Sequence, residues 1–209
     1  YKIQTLNNIS EAGLSLFPKE LYHISSDVEA PDAILVRSAN MHDMELPSSL
    51  LALARAGAGV NNIPIDKCTE MGIVVFNTPG ANANAVKGLV LAGLLLSSRR
   101  IVESIQWVQS LKGETDIASK IEKNKSKFVG PELKGKKLGV IGLGAIGVLV
   151  ANVGQAIGMD VTGYDPFISI QNAWGLSRHV HRATSLDALL AESDYITVHV
   201  PLMDETRNM

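Results

Sequence analysis

The hydrophobic positions in the first part of the chain fall into short continuous runs separated by segments with helical spacing. Strands are predicted at 2–6, 33–36, 51–56 and 73–76, and helices between Ser10 and Pro18 and at 65–71. Continuous apolar runs such as AILV and IVVF are typical of strands that are buried on both faces. The pattern therefore predicts a parallel sheet with helices packed on its two sides.

A second series of the same kind occupies the rest of the chain. A broad apolar stripe predicts one long helix over 82–112, followed by a polar, mostly exposed connection at 112–133 with a short helix in it. Strands are then predicted at 137–141, 160–164 and 195–200, and helices at 145–157 and 186–191. We therefore expect an α/β fold with two doubly wound parallel-sheet units, residues 1–86 and 87–209, linked by the long helix.

Composition and charge narrow the classes of function. The formal net charge of −2 gives no attraction to nucleic acid or to an anionic membrane over the whole surface. The longest apolar run, 88–96, is far shorter than the roughly 20 residues that cross a bilayer. A single cysteine, Cys68, excludes an internal disulfide and a cysteine-cluster metal site, and it favours a cytoplasmic protein. No pair of histidines has the spacing of metal ligands, so we predict no metal.

The most informative motif is a glycine-rich turn between the strand at 137–141 and the helix that follows it. Gly142 permits the tight turn, Gly144 leaves room for a pyrophosphate, and Gly147 lets the helix pack closely on the strand. The start of a helix also offers unpaired N–H groups to phosphate. We expect Ala145 and Ile146 to supply these amides. The motif predicts a dinucleotide site.

An acidic residue in the expected place supports this interpretation. Asp165 ends the next predicted strand, 18 residues after Gly147, where a carboxylate can accept hydrogen bonds from ribose hydroxyls. Its charge would repel a 2′-phosphate, so NAD is favoured over NADP as the cofactor. An S-adenosylmethionine site is the main alternative for a glycine-rich turn followed by an acid.

Three further segments resemble those of the NAD-dependent D-2-hydroxyacid dehydrogenases. They are RAGAGVNNI at 55–63, NTPGAN at 77–82, and VHVPL at 198–202 followed by Glu205-Thr206. The resemblance covers essentially the whole chain. It implies a flavodoxin-like substrate-binding or lid domain, then a Rossmann NAD-binding domain of which only the first part is present. The active site would lie in the cleft between them.

The resemblance also implies roles for individual residues. The amides of 56–60, including Gly57, Ala58 and Gly59, would hold the substrate carboxylate, and Arg37 and Arg55 would hold a substrate phosphate. Ser38 would lie beside Arg37 in the substrate site. The remaining cofactor-lining positions would be Pro166, His199, Val200, Pro201 and Thr206. His199 is expected to be structural or cofactor-lining rather than catalytic.

Within the family, the opening segment at 5–10 and Arg37-Ser38 resemble the bacterial branch that oxidises 3-phospho-D-glycerate in the first step of L-serine synthesis. The resemblance to this branch implies that the substrate is a phosphorylated hydroxy acid. The family forms dimers, so we expect a homodimer. The family's arginine, glutamate and histidine for catalysis follow the 198–202 segment. We therefore interpret this chain as an N-terminal portion, assign no catalytic residue and expect no turnover by it alone. The alternatives are a glyoxylate or hydroxypyruvate reductase and a non-catalytic NAD-sensing protein.

Overall fold

The computed structural model describes residues 1–209, which divide into two compact units, Tyr1–Asn82 and Ala83–Met209. Each unit is built on its own parallel sheet, so the predicted α/β class with two such sheets is confirmed. The boundary between the units falls after Asn82, whereas the sequence predicts a boundary after residue 86.

The first sheet has five strands in the order β2-β1-β3-β4-β5. These are β1 (Lys2–Leu6), β2 (His23–Ser25), β3 (Ala33–Val36), β4 (Ala52–Arg55) and β5 (Val74–Phe76). All neighbours pair in parallel, and this order is that of flavodoxin-like folds. Two short helices, α1 (Glu11–Leu14) and α2 (Ile65–Glu70), accompany the sheet.

The register of this sheet decides which loops lie together. Val36 of β3 pairs with Arg55 of β4, so the chain leaves both strands at the same edge. Ile34, Val36 and Leu53 are fully buried and fix these two strands in the core. The segments that follow β3 and β4 are therefore adjacent at the carboxyl end of the sheet, where ligands of parallel α/β folds bind.

The second sheet has four parallel strands in the order β8-β7-β6-β9. These are β6 (Lys137–Ile141), β7 (Asp160–Tyr164), β8 (His181–Arg182) and β9 (Tyr195–Val198). Three helices connect them: α6 (Ala145–Ala156), α7 (Ile170–Gly175) and α8 (Leu186–Glu192). The order matches four neighbouring strands of the Rossmann arrangement, with β6 at the position where the strand order reverses.

Close packing of α6 on β6 and β7 positions the turn between them. Val150 and Ala151 are fully buried, and they join Leu138, Val140 and Val161 in one core cluster. A Cβ on Gly154 would lie 2.7 Å from the Leu138 side chain, so the helix axis approaches the sheet unusually closely. The start of α6 is consequently held against the end of β6.

The segment predicted as one helix over 82–112 differs in the structure. It forms α3 (Ala83–Arg99) and α4 (Ile101–Ser110), which are separated by Arg100 in the left-handed region with φ 48°. The Arg100 guanidinium donates a hydrogen bond to the Lys127 carbonyl (2.9 Å). A contact with the following connection therefore accompanies a break that the periodicity of the sequence does not reveal.

Three regular elements were not predicted. They are β2, α7 and β8, which have only three, six and two residues. Both strands are sheet edges, and their sequences are too short to show a hydrophobic period. The short helix predicted within the connection at 112–133 is α5 (Ile117–Asn124), and a 3-10 helix, Lys125–Phe128, follows it. No helix in the structure is both long and apolar enough to span a bilayer.

Candidate functional site

The glycine-rich turn lies directly after β6, at the carboxyl end of the second sheet. Gly142 adopts φ +86°, which favours glycine, and a Cβ there would lie 2.8–2.9 Å from Val200 and from the His199 backbone. At Gly147 a Cβ would lie 1.9 Å from the Gly142 carbonyl oxygen. The two glycines therefore permit close packing around the turn, which is the purpose expected of them from the motif.

The first turn of α6 offers a free anion-binding surface. The helix begins after Gly144, and no side chain caps it. The N–H of Val148 is the first to bond back, donating to the Gly144 carbonyl (3.1 Å), while those of Ala145, Ile146 and Gly147 have no partner. A Cβ at Gly144 would meet no atom within 4 Å, so the space in front of these amides is open. This arrangement fits a pyrophosphate.

Asp165 follows β7 and reaches this turn. Its two carboxylate oxygens accept backbone hydrogen bonds, Oδ2 from Leu143 (2.8 Å) and Oδ1 from Phe167 (2.9 Å). Each carboxylate oxygen has further acceptor capacity, so hydroxyl groups of a ribose can still bind. Pro166 is exposed next to it. The acid and the free amides therefore lie on the same loop cluster, as the NAD fingerprint requires.

The segment after β9 forms another side of this cluster. The His199 N–H donates to the Ile141 carbonyl (2.7 Å), and Val200 packs against a small core that contains Ile141. The His199 imidazole is hydrogen-bonded to the Thr197 hydroxyl (2.9 Å). Burial lowers the pKa of His199 below its ordinary value, which favours the neutral ring at neutral pH.

The last two predicted cofactor residues close a small loop. Pro201 is exposed, and its carbonyl accepts a hydrogen bond from the Thr206 hydroxyl (2.5 Å). The same hydroxyl accepts from the Met203 N–H (2.8 Å). Thr206 is therefore occupied within the chain, and its contribution here is to shape the loop after β9.

In the first unit, the turn after β4 also presents free amides. The N–H groups of Ala58, Gly59 and Val60 have no partner. Those of Ala56 and Gly57 are already used, because they donate to the Val36 carbonyl (2.8 Å) and the Arg55 carbonyl (2.9 Å). Three of the five predicted amides are therefore available to an anion, a narrower set than the sequence indicated.

Arg55 lies over this turn. Its Nε donates to the Arg37 carbonyl (3.0 Å), and its Nη1 lies only 2.8 Å from the position that a Cβ of Gly57 would take. The guanidinium therefore lies close to the backbone of the turn at Gly57 and Gly59. Arg37 itself is exposed, and so is Ser38. The structure brings the predicted substrate residues of this unit together at the ends of β3 and β4.

Three polar residues that support this turn were given no role by sequence reasoning. The side-chain Oδ1 of Asn7 accepts from the Ser38 (2.9 Å) and Ala39 (2.5 Å) amides, which fixes the loop after β3. The Asn77 side chain donates to the Ala58 carbonyl (2.7 Å), and the Thr78 N–H donates to the Gly57 carbonyl (2.9 Å). A signal was present, because Asn and Thr directly after a strand commonly bind loop backbone.

No group of three or more histidine, cysteine or acidic side chains is arranged to hold a metal ion. Cys68 is buried on α2, and this burial raises the pKa of its thiol, an effect that nearby Lys67 opposes. A buried thiol with a raised pKa is a poor nucleophile.

Comparison with known proteins assigns the family. Residues 91–209, more than half of the chain, match the NAD binding domain of the D-isomer specific 2-hydroxyacid dehydrogenases. The chain belongs to this family. It carries the NAD-binding domain of these dehydrogenases, so NAD is its cofactor.

Similar curated proteins include several D-3-phosphoglycerate dehydrogenases. The one from Archaeoglobus fulgidus is 39% identical over 183 residues, which are 86% of this chain and 32% of that protein. The one from Methanocaldococcus jannaschii is 36% identical over 202 residues, 95% of this chain and 36% of that protein. The chain therefore spans about a third of the length of these relatives.

Solved dehydrogenase structures share the fold. The NAD⁺-bound 3-phosphoglycerate dehydrogenase of Entamoeba histolytica is 26% identical with a TM-score of 0.71, over 98% of this chain and 64% of that one. The D-lactate dehydrogenase of Aquifex aeolicus, complexed with NAD and lactic acid, is 26% identical with a TM-score of 0.72, over 100% of this chain and 63% of that one. Both were crystallised with bound NAD.

Proposed function

We propose that this protein takes part in the NAD-dependent oxidation of 3-phospho-D-glycerate to 3-phosphooxypyruvate, the first step of L-serine synthesis. The family assignment supports a D-2-hydroxyacid dehydrogenase, and the curated relatives named above are D-3-phosphoglycerate dehydrogenases. The observation that carries the proposal is the combination of two arginines with three free amides at the carboxyl end of the first sheet.

The turn amides suit the carboxylate that every 2-hydroxyacid shares. Consecutive N–H groups in a glycine turn form a concave anion site, and the N–H groups of Ala58, Gly59 and Val60 are free. The Arg55 guanidinium lies over the same turn, so its position supports a role beside the carboxylate. Sequence reasoning had assigned Arg55 to the phosphate together with Arg37.

Arg37 remains the candidate for the substrate phosphate. It is exposed at the end of β3, one residue from an amide that Asn7 holds in place. A guanidinium can offer two parallel hydrogen bonds to a phosphate, which a lysine cannot reproduce. This residue would therefore distinguish a phosphorylated hydroxy acid from an unphosphorylated one.

The second unit would bind and orient the cofactor. Its free helix amides would hold the pyrophosphate, and Asp165 would hold the adenosine ribose. The bound nicotinamide supplies the acceptor for the hydride of the substrate C2 carbon. A base must also take the hydroxyl proton. We assign none of the residues of this chain to that task, in line with the resemblance, so we propose that turnover needs residues beyond these 209.

The experiment compares 3-phospho-D-glycerate with D-glycerate as substrates of the full-length enzyme. For Arg37→Ala we expect the KM for the phosphorylated substrate to rise about ten- to a hundredfold, as expected for the loss of hydrogen bonds between charged groups. The KM for D-glycerate should change little. Arg37→Lys should restore only part of the affinity, since it keeps the charge but not the paired hydrogen bonds.

Lys19→Ala serves as the matched control, because it removes an exposed cation from the same unit on the side of α1. It should leave both substrates unaffected. An equal effect of Arg37→Ala on both substrates would favour a glyoxylate or hydroxypyruvate reductase. Binding of NAD without turnover of any hydroxy acid by the full-length protein would favour an NAD-sensing role.

We also propose that the protein associates as a homodimer through α3 and α4. Both helices expose large apolar side chains: Leu89, Leu95, Leu96, Val102, Ile105 and Val108. Such a patch is larger than scattered surface residues account for. Leu89→Lys should shift the sedimentation coefficient towards the monomer, and Leu16→Lys, at a similarly exposed leucine of the first unit, should not. An unchanged coefficient for Leu89→Lys would contradict this interface.

We propose a cytoplasmic location for the protein. The only cysteine, Cys68, is buried and unpaired, which is compatible with a reducing compartment. Fractionation of cells that carry a tagged full-length protein tests this, and recovery in the membrane or secreted fraction would contradict it.

A further inference from the structure

The Asp165 carboxylate is committed to the backbone before any ribose binds. Its Oδ2 accepts from the Leu143 N–H (2.8 Å) and its Oδ1 from the Phe167 N–H (2.9 Å). One bond therefore reaches across from the end of β7 into the middle of the glycine-rich turn. Hydrogen bonds to an ionised acceptor are stronger than those between neutral groups.

Among the three turn residues at 142–144, only Leu143 has a side chain that can pack against the rest of the protein. It lies between Gly142 and Gly144, and glycine on each side allows the backbone many conformations. The Leu143 side chain is buried against Gly163 of β7. A Cβ on Gly163 would lie 2.9–3.0 Å from the two Leu143 methyl carbons, so Leu143 can pack in this position only because residue 163 is glycine. We call this packing position the Gly163 seat.

A third contact joins the turn to the same strand. The Gly142 N–H donates to the Tyr164 carbonyl (2.9 Å). Three successive positions of β7 and its end, Gly163, Tyr164 and Asp165, therefore hold two successive positions of the turn. The direction of the free amides of the following helix start depends on this attachment, because the turn leads directly into α6.

We propose that Asp165 is a positioning residue for the phosphate-binding turn as well as a ligand of the ribose. Its carboxylate and the Gly163 seat clamp Leu143, and this clamp keeps the N–H groups of Ala145, Ile146 and Gly147 aimed at the pyrophosphate position. Both roles can coexist, since each carboxylate oxygen uses one acceptor site for the backbone and keeps another for a hydroxyl. The inference does not depend on which hydroxy acid is the substrate.

The two roles make opposite predictions for a ligand without ribose. If Asp165 served only the ribose, Asp165→Ala would leave the binding of inorganic pyrophosphate unchanged or would strengthen it, because a negative charge is removed. If Asp165 positions the turn, the same change should weaken pyrophosphate binding despite the more favourable charge. Inorganic pyrophosphate is therefore the probe, and its titration is followed through the backbone amide signals of Ala145 and Ile146.

The first measurement is hydrogen exchange in the ligand-free protein. For Asp165→Ala we expect exchange of the Leu143 amide to accelerate about tenfold or more, as expected for the loss of one hydrogen bond to a charged acceptor. The dissociation constant of pyrophosphate should rise about fivefold or more. Unaccelerated exchange at Leu143, or pyrophosphate binding as tight as in the wild type, would overturn the proposal.

Two further variants separate the clamp from general damage. Gly163→Ala displaces Leu143 and leaves the carboxylate intact, and it should weaken pyrophosphate binding in the same direction. Asp194→Ala is the matched control, since the Asp194 carboxylate accepts the Lys137 N–H (2.8 Å) at the opposite end of β6. This control should accelerate exchange at Lys137 alone. If Asp165→Ala does not fold, Gly163→Ala carries the test, and normal pyrophosphate binding by this variant would refute the proposal.

Discussion

Gly144→Ala and Gly147→Ala add the same methyl group to the same turn, and the structure leads us to expect different consequences. At Gly147 the new Cβ would lie 1.9 Å from the Gly142 carbonyl oxygen and 2.9 Å from its carbon. At Gly144 it would meet no atom within 4 Å. The first substitution therefore perturbs the packing of the protein, and the second perturbs the space that a ligand occupies.

The cost at Gly147 follows from the distance. The start of α6 must move until a contact of 1.9 Å reaches the ordinary range that begins at 3.4 Å. The obstructing atom is backbone, so no side chain can rotate away. Overpacking of this kind costs about 1–3 kcal/mol in the free energy of unfolding. NAD affinity should fall as well, because the same movement displaces the helix amides.

Gly144→Ala should leave the free energy of unfolding within about 1 kcal/mol of the wild type, the scale of exchanging a residue at a helix N-cap. Its methyl group would instead stand in front of the free amides. Each hydrogen bond to a charged phosphate is worth about 1.5–3 kcal/mol. Loss of one such bond raises the dissociation constant of NAD about ten- to a hundredfold.

Two measurements separate these effects. Both tryptophans, Trp107 and Trp174, lie in the second unit, so their fluorescence in urea reports the unfolding of the unit that contains the turn. Calorimetry with NAD gives the affinity of each folded variant. The reasoning is refuted if Gly144→Ala binds NAD as the wild type does, or if Gly147→Ala is as stable as the wild type.

Four further outcomes are expected. Because the pKa of His199 is lowered in the fold, the unfolded chain takes up the proton first as the pH falls below 6.5, so the free energy of unfolding should decrease there; His199→Gln should flatten that decrease in urea titrations, and an unchanged slope would contradict the assignment. The Cys68 thiol should resist a thiol reagent until urea unfolds the protein, since burial raises its pKa, and rapid labelling of the folded chain would be inconsistent with this. Gly57→Ala should displace the Arg55 guanidinium from the turn and raise the KM of every hydroxy acid in steady-state assays of the full-length enzyme, so an effect confined to the phosphorylated substrate would count against the carboxylate role. The 209 residues alone should show no NAD-dependent turnover in a steady-state assay, whereas normal activity would place the proton acceptor among them.

The elements that the sequence predicts well are those whose burial leaves a pattern. The predicted strands at 2–6, 33–36, 137–141 and 160–164 have the observed limits. Each lies inside its sheet with a neighbouring strand on both sides, and each contains at least one buried apolar residue. The edge strands β2 and β8 contain no buried residue. Their sequences, HIS and HR, consequently contain nothing that distinguishes them from a loop.

The break at Arg100 has a different origin. No glycine or proline lies near it, and the apolar positions of α4 keep the helical spacing of those in α3 across the four polar residues at 97–100. A contact with a distant segment accompanies the turn of the chain at this point. The connection around Gly130 passes so close to the end of α3 that a Cβ on it would lie 1.9 Å from the Ser98 carbonyl oxygen. This is a contact between segments distant in sequence, and propensity at Arg100 cannot report it.

Both candidate anion sites show the same limit to sequence reasoning. A motif identifies which residues form a turn, but whether an N–H group is available depends on acceptors contributed by other strands. The Ala56 amide is lost to the Val36 carbonyl of the neighbouring strand, whereas the Ala145 amide stays free because a helix start has no acceptor before it. The N–H groups at the start of α6 are thus free because of helix geometry itself, and the amides predicted there are unpaired in the structure. An N–H group of the turn after β4 is free only where no nearby carbonyl accepts from it, which is why three of the five predicted amides remain available.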